Sequence, residues 1–165
     1  MRVIITLLIY SLMSSLARDP IFLLHDVARI MRTRFDQWAR AYGMTRAQGV
    51  ILVRLERQPG ISQNEMASIC EVEPITVGRL VDRLEARGLI ERRSDPTDRR
   101  VRRLHLLPAA RPILADIHAY KSELTDLVTN GLPPQAVETL VEALMHMKNK
   151  LTTEAANDKL AAAGE

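Results

Sequence analysis

Residues 59–107, PGISQNEMASICEVEPITVGRLVDRLEARGLIERRSDPTDRRVRRLHLL, decide the fold of this chain. Ser62-Gln-Asn-Glu65 has the form of a capping box, in which a hydroxyl and a carboxylate satisfy each other's backbone N–H groups. It predicts a short helix from Gln63 to about Cys70, with Met66, Ala67, Ile69 and Cys70 facing inward. Glu71-Val-Glu73 is the turn. Pro74 suits a first helical position, where its missing N–H costs nothing. The helix it opens runs to Arg87, and Gly88 ends it as a left-handed cap. Val77, Leu80, Val81 and Leu84 form its apolar stripe, and the opposite face shows Thr76, Arg79 and Arg83. Leu89–Arg93 and Val101–Leu107 then read as two strands, with the turn residues Asp95-Pro-Thr-Asp98 between them. The order is helix, turn, helix, basic hairpin.

The flanks are helical. Asp19-Pro20 opens a helix with apolar residues at Leu23, Leu24, Val27, Ile30, Met31, Phe35, Trp38 and Ala39, and Gly43 ends it. Thr45-Arg-Ala-Gln48 is another capping box, starting a helix to about Arg57 whose core face is Val50, Ile51, Val53 and Leu55. Gln58-Pro-Gly60 is a turn. Pro108 starts a long helix to about Thr129, and Gly131-Leu-Pro-Pro134 breaks it. A last helix follows to about Ala155, with a heptad-like stripe of Val137, Leu140, Val141, Leu144, Met145, Met147 and Leu151. The fold class is mainly α with a small β-wing: a winged helix-turn-helix over residues 44–107, flanked by dimerisation helices at 19–43 and 108–155, with a frayed tail at 156–165. Residues 1–18 are an N-terminal extension, reflecting either a start at Met13 or a segment of an interface. Its apolar run is shorter than the roughly 20 residues that span a bilayer.

Composition narrows the class. The chain has 165 residues, 47% of them hydrophobic and 4% aromatic, which suits a helical core of Leu, Ala, Val and Ile. The formal net charge is +3, but Arg79–Arg103 holds nine arginines against five acids, a larger surplus than that of the whole chain. Arginine clustered on one element is the footprint of a phosphate-binding face. The single cysteine, Cys70, excludes an internal disulfide and a cysteine-built zinc site. No Ser/His/Asp set, Gly-rich phosphate loop or metal-ligand spacing stands out, and His25, His105, His118 and His146 are scattered. The expectation is a cytoplasmic protein that is not an enzyme and carries no cofactor or metal.

The second helix of a helix-turn-helix lies in the major groove of duplex DNA with its N-terminal residues on base edges. Here that surface is Pro74, Ile75, Thr76, Gly78 and Arg79, with Arg83 further along. Arg79 leads for direct readout, because arginine is bidentate to guanine O6 and N7. Thr76 can bond a base or meet a thymine methyl, and Gly78 lets the helix backbone come close. Ser62 and Gln63, like Thr45 and Arg46, sit at helix N-termini, where backbone N–H groups attract phosphate. An arginine at the tip of a narrow hairpin, Arg100 with Arg99 beside it, can enter the minor groove. Asp98 is close enough to orient the Arg100 guanidinium in a bidentate pair. Arg102 and Arg103 meet flanking phosphates. The terminal helices are too apolar to stand alone in water, so a two-fold dimer buries them and sets two reading helices about 34–36 Å apart. The alternative is a winged-helix module used for protein–protein assembly, without sequence-specific DNA binding.

Val81-Asp-Arg-Leu-Glu-Ala-Arg-Gly-Leu-Ile90 and Asp95-Pro-Thr-Asp-Arg-Arg100, at this spacing, resemble the winged helix-turn-helix of the multiple-antibiotic-resistance regulator (MarR) family, and its SlyA-like members most. The resemblance covers roughly residues 20–152. It implies a homodimeric transcription factor, usually a repressor, on a palindromic operator. It implies that Arg100 enters the minor groove held by Asp98, that residues 74–83 read the major groove, and that small phenolic or aromatic effectors weaken DNA binding. The effector pocket is expected where the first helix, the second helix and the helix after Pro108 meet, with His25, Arg29, Trp38, Tyr42 and His118 as candidate contacts. The chain departs from the family at Pro108, where a threonine cap is usual, and in its first dozen residues. It also has no cysteine near the start of the first long helix, where peroxide-sensing members carry one.

Overall fold

The computed structural model describes residues 18–70, 72–98 and 100–162, with side chains to residue 154. The expected N-terminal extension, apart from Arg18, lies outside the described residues. The elements are α1 (Pro20–Ala41), α2 (Arg46–Arg57), α3 (Gln63–Cys70), α4 (Pro74–Ala86), β1 (Ile90–Ser94), β2 (Arg102–Leu106), α5 (Ala110–Thr129) and α6 (Pro134–Ala162). The chain divides into two compact units after Ile117.

In the first unit the local signals act as the sequence implies. Asp19 caps α1 by accepting from the Phe22 N–H at 2.8 Å. Thr45 and Gln48 close a full capping box at the start of α2. Ser62 and Glu65 do the same for α3: the Ser62 N–H donates to Glu65 Oε2 at 2.8 Å and the Glu65 N–H to Ser62 Oγ at 3.1 Å. Pro74 opens α4, and Gly88 follows it at φ +67°, a conformation that L side chains rarely adopt. Ile51, Leu52, Leu55, Met66, Val77, Val81, Leu84, Ile90 and Leu104 are fully buried and join α2, α3, α4 and the hairpin into one core. Each such side chain contributes about 1.5–3 kcal/mol relative to exposure.

The core face of α2 differs from expectation. Leu52 is fully buried and Val50 is exposed. At 100° per residue Gln48, Ile51, Leu52 and Leu55 share one face, and Val50 points away from it. On α3, Met66 and Ala67 are buried but Ile69 is exposed.

Strands β1 and β2 pair antiparallel in the register Ile90↔Leu106, Arg92↔Leu104 and Ser94↔Arg102. Each strand begins one residue later than its sequence suggests, β1 also ends one later at Ser94, and β2 stops one short at Leu106. A two-stranded hairpin is marginal alone. Here the outer edge of β2 is covered by residues 60–62: the Gly60 N–H donates to Leu104 O at 3.0 Å, the Leu104 N–H donates to Ile61 O at 3.0 Å, and Ser62 bridges to Arg103.

The second unit begins at His118 within α5 and holds α6. Gly131, at φ +84°, turns the chain between the two helices. Helix α6 runs to Ala162, past the expected end near Ala155, through an alanine-rich stretch of high helix propensity. Two apolar faces stay exposed on this chain. One is Ile21, Phe22, Leu23, Leu24, Val27, Ile30 and Met31 of α1, and the other is Leu140, Val141, Leu144, Met145 and Leu151 of α6.

Candidate nucleic-acid interface

Helix α4 turns Val77, Val81 and Leu84 into the core and leaves Pro74, Ile75, Thr76, Arg79 and Arg83 on its exposed face. Ile75 is 68% exposed, a large apolar side chain held out at the N-terminal turn. Arg79 and Arg83 have no ion-pair partner among the described residues. Both guanidinium groups are therefore available to an external acceptor. Gly78, in contrast, is half-buried and faces α3: a Cβ there would stand 3.3 Å from Gln63 Nε2. The close approach that Gly78 permits is thus to the neighbouring helix.

The wing is organised by two aspartates. The Asp95 side chain is buried, and its Oδ1 accepts from the Thr97 N–H at 2.7 Å, from the Thr97 hydroxyl and from the Asp98 N–H at 3.0 Å. Its Oδ2 takes the Nε of Arg103. The Thr97 hydroxyl and N–H, with Arg103, hold this carboxyl far below the ordinary carboxylate range. Asp98 faces the tip. Arg100 donates to it through Nε and Nη2, both at 3.2 Å, and through its backbone N–H at 2.9 Å. The Arg100 side chain is 92% exposed, so the pair orients the guanidinium without burying it. Those same bonds from Arg100 lower the Asp98 pKa. Arg102 is exposed and donates to Ser94 Oγ at 2.7 Å. Arg99 lies outside the described residues.

Three expected phosphate contacts are turned to other work. Arg103 pairs with Asp95 and donates to Gly60 O at 2.8 Å, which ties the wing to the turn before α3. Ser62 spends its hydroxyl and N–H on Glu65, whose carboxyl is lowered by the Ser62 hydroxyl first and the Ser62 N–H second. Gln63 sits between Gly78 and Arg92. Even so, Ser62, Gln63 and Asn64 share a cleft of about 170 Å³ with Arg100, Val101 and Arg102. The start of α3 and the wing therefore converge on one surface. Sequence reading missed Arg92, Asp95 and Arg103 as struts. The Asp95-Pro-Thr97 spacing, which favours an aspartate accepting from the N–H two residues on, was a signal for Asp95.

The four candidate effector contacts of the first unit fall into two separate pairs. His25 is exposed, and Arg29 is engaged by Asp26 at 2.5 Å on the surface of α1. Trp38 and Tyr42 stack on each other with centroids 4.6 Å apart and pack against the core. His118 is exposed and belongs to the second unit. Spacing along α1 explains the two pairs: His25 and Arg29 share one side of the helix, and the nine-residue step to Trp38 carries Trp38 and Tyr42 half a turn around to the other. A cavity of about 360 Å³ lies elsewhere, at the base of the wing, floored by Leu55, Leu106, Leu107 and Leu114 and walled by Arg93, His105 and Arg111. None of the five lines it. Cys70 is half-buried on α3, and burial pushes its thiol pKa up, away from thiolate chemistry.

A core-anchored hairpin with an oriented arginine at its tip, beside a helix-turn-helix with an open arginine face, defines a winged helix-turn-helix protein. Residues 44–101 match the MarR family. Among solved structures, the chain is similar to one described as MarR, with a TM-score of 0.76 and 25% identity over 84% of this chain and 95% of that one. It shares its fold with the transcriptional regulator SlyA, at a TM-score of 0.72 and 23% identity over 82% of this chain and 96% of that one. It shares it also with Staphylococcus aureus MepR solved in complex with DNA, at a TM-score of 0.69 and 23% identity over 80% and 98%. Residues 44–101 are thus a MarR-type winged-helix region, and the chain around them has the fold of the solved MarR and SlyA transcriptional regulators. Among the described residues, no helix is long and apolar enough to cross a membrane.

Proposed function

We propose that this chain is a homodimeric repressor that reads a palindromic operator, with α4 in the major groove and Arg100 in the flanking minor groove. The observation that carries the reading is the two-pronged Asp98–Arg100 pair at an exposed wing tip, with Thr76, Arg79 and Arg83 exposed on α4. Arg79 supplies bidentate guanine readout, and Ile75 with Thr76 supplies apolar contact to thymine methyls. Arg83 and Arg102 bind phosphates, which adds affinity without sequence information. The neighbour solved with DNA has the same fold. The dimer rests on the exposed apolar faces of α1 and α6, which a second copy covers.

We place a small aromatic or phenolic effector in the cavity at the wing base instead of among His25, Arg29, Trp38, Tyr42 and His118. That cavity has an apolar floor, and neither His105 nor Arg111 in its wall has a side-chain partner among the described residues. The test is selection of tight-binding duplexes from a random-sequence pool with the full chain, followed by anisotropy titrations across a salt series. The reading expects an inverted repeat to emerge, with log-affinity falling linearly in log-salt. Failure to enrich any sequence overturns it. Placing the selected repeat across a promoter in a reporter then tests repression, and activation by the bound protein would overturn the repressor assignment.

A further inference from the structure

Among the described residues, Arg92 is the wing arginine bound to α4, and its partners all lie on α3 and α4. Its guanidinium binds Asp82 Oδ1 at 2.6 Å, the Gly78 carbonyl at 3.3 Å and the Glu85 carboxylate, with Gln63 Oε1 at 3.5 Å. The Arg92 N–H also donates to Glu85 Oε1 at 3.1 Å, which satisfies the outer edge of β1. Gly78, Asp82 and Glu85 are spaced by four and three residues, so they line one face of α4 over two turns. A single β1 side chain is thus clamped along the helix that carries Arg79 and Arg83. The clamp is half-dry: the Arg92 side chain is 20% exposed, with Asp82 at 66% and Glu85 at 39%.

We propose that Arg92 is a positioning residue for DNA reading: it locks the wing to α4 so that Arg100 and the reading face enter adjacent grooves together. The inference rests on the function proposed above. Two prongs that engage one duplex gain affinity from being held at a fixed separation. The other edge of the hairpin is held by Gly60–Ser62 and by Arg103, so loss of Arg92 frees the β1 edge alone. The wing beyond the buried Ile90 and Leu104 then loosens against α4, which stays in the core. Arg92 never touches DNA, and its effect on binding runs through Arg100.

That dependence makes the test a double-mutant cycle on a duplex selected from the random pool by the wild-type full chain. Arg92→Met keeps the length of the side chain and removes the clamp. Asp82 and Glu85 stay hydrated, so no charge is left buried. Expected is a loss of affinity of about tenfold for Arg92→Met in the wild-type background, and less than about twofold once Arg100→Ala is present. Hydroxyl-radical protection of the minor groove beside each half-site should fade in Arg92→Met, while the base preferences assigned to Arg79 persist. Arg92→Lys, which can reach only one acid at a time, should recover part of the loss. Equal losses with and without Arg100, or no loss at all, overturn the proposal. If Arg92→Met does not fold, Asp82→Asn removes one leg of the clamp from an exposed position and should show the same dependence on Arg100 at about threefold. If the wild-type chain selects no duplex, the proposed function fails instead, and the two failures are thereby distinct.

Discussion

Two aspartates three positions apart on the wing do opposite jobs. Asp95 faces inward and fixes the turn, while Asp98 faces outward and aims Arg100. The depressed pKa of Asp95 makes it an acid-labile strut. A carboxyl whose folded pKa lies below its unfolded value stabilises the fold fully above the unfolded value, and that stability is lost as pH falls through the folded one. Unfolding stability should therefore decline as pH drops below about 4, the ordinary aspartate range. Asp95→Asn should lower the urea midpoint at neutral pH and flatten the acid limb. An unchanged acid slope in that variant would show that Asp95 does not carry it. On the outward side, Arg79→Ala should cost about 1–3 kcal/mol of binding and relax preference at one base pair per half-site. Equal weakening on every duplex would assign Arg79 to phosphate. Arg100→Ala should cost most where the flanks are A·T-rich, since narrow minor grooves concentrate negative potential. Titrations against A·T- and G·C-flanked versions of one selected duplex would decide it.

At the level of elements, helices marked by a cap and a stripe were legible from the sequence. The capping boxes at Thr45 and Ser62, Pro74 at the start of α4 and Gly88 at its end are local signals, and each set a boundary within a residue or so. Reading faltered where the deciding partner is distant in the chain. The apolar run Val50-Ile-Leu-Val53 has no polar residue to fix its phase, and only packing against α1 and α4 shows that Leu52 is inside and Val50 outside. Leu52→Ala should accordingly cost about 2–5 kcal/mol, read as a drop in the urea midpoint, whereas Val50→Ala should cost little. Comparable losses would return the phase to the one first expected. The site divides the same way. Arg100 with Asp98, and the open face of α4, are readable because their partners sit two to four residues away. Arg103 looked like a further phosphate ligand, and Arg92 drew no role at all, because their partners Gly60 and Asp82 lie 43 and 10 residues off.

For the whole molecule, the unresolved quantity is the apolar surface that one chain leaves in water. Seven large hydrophobics on α1 and five on α6 are more than a third exposed. Contiguous apolar faces of this kind mark interfaces, whereas scattered exposed hydrophobics do not. In the proposed dimer a second copy covers them, and a two-fold axis would convert one reading helix into two half-site readers. Light scattering at micromolar concentration should therefore give twice the chain mass. A charge placed in the α6 stripe, Leu144→Glu, should shift the mass toward one chain while leaving the wing and α4 folded. Binding to a single half-site should then survive at the level of the wild-type protomer, while affinity for the inverted repeat should collapse to about that of the half-site, since the second engagement is no longer intramolecular. A Leu144→Glu protein that stays dimeric would remove α6 from the interface and leave the α1 face to carry it, which Leu23→Glu tests in the same way.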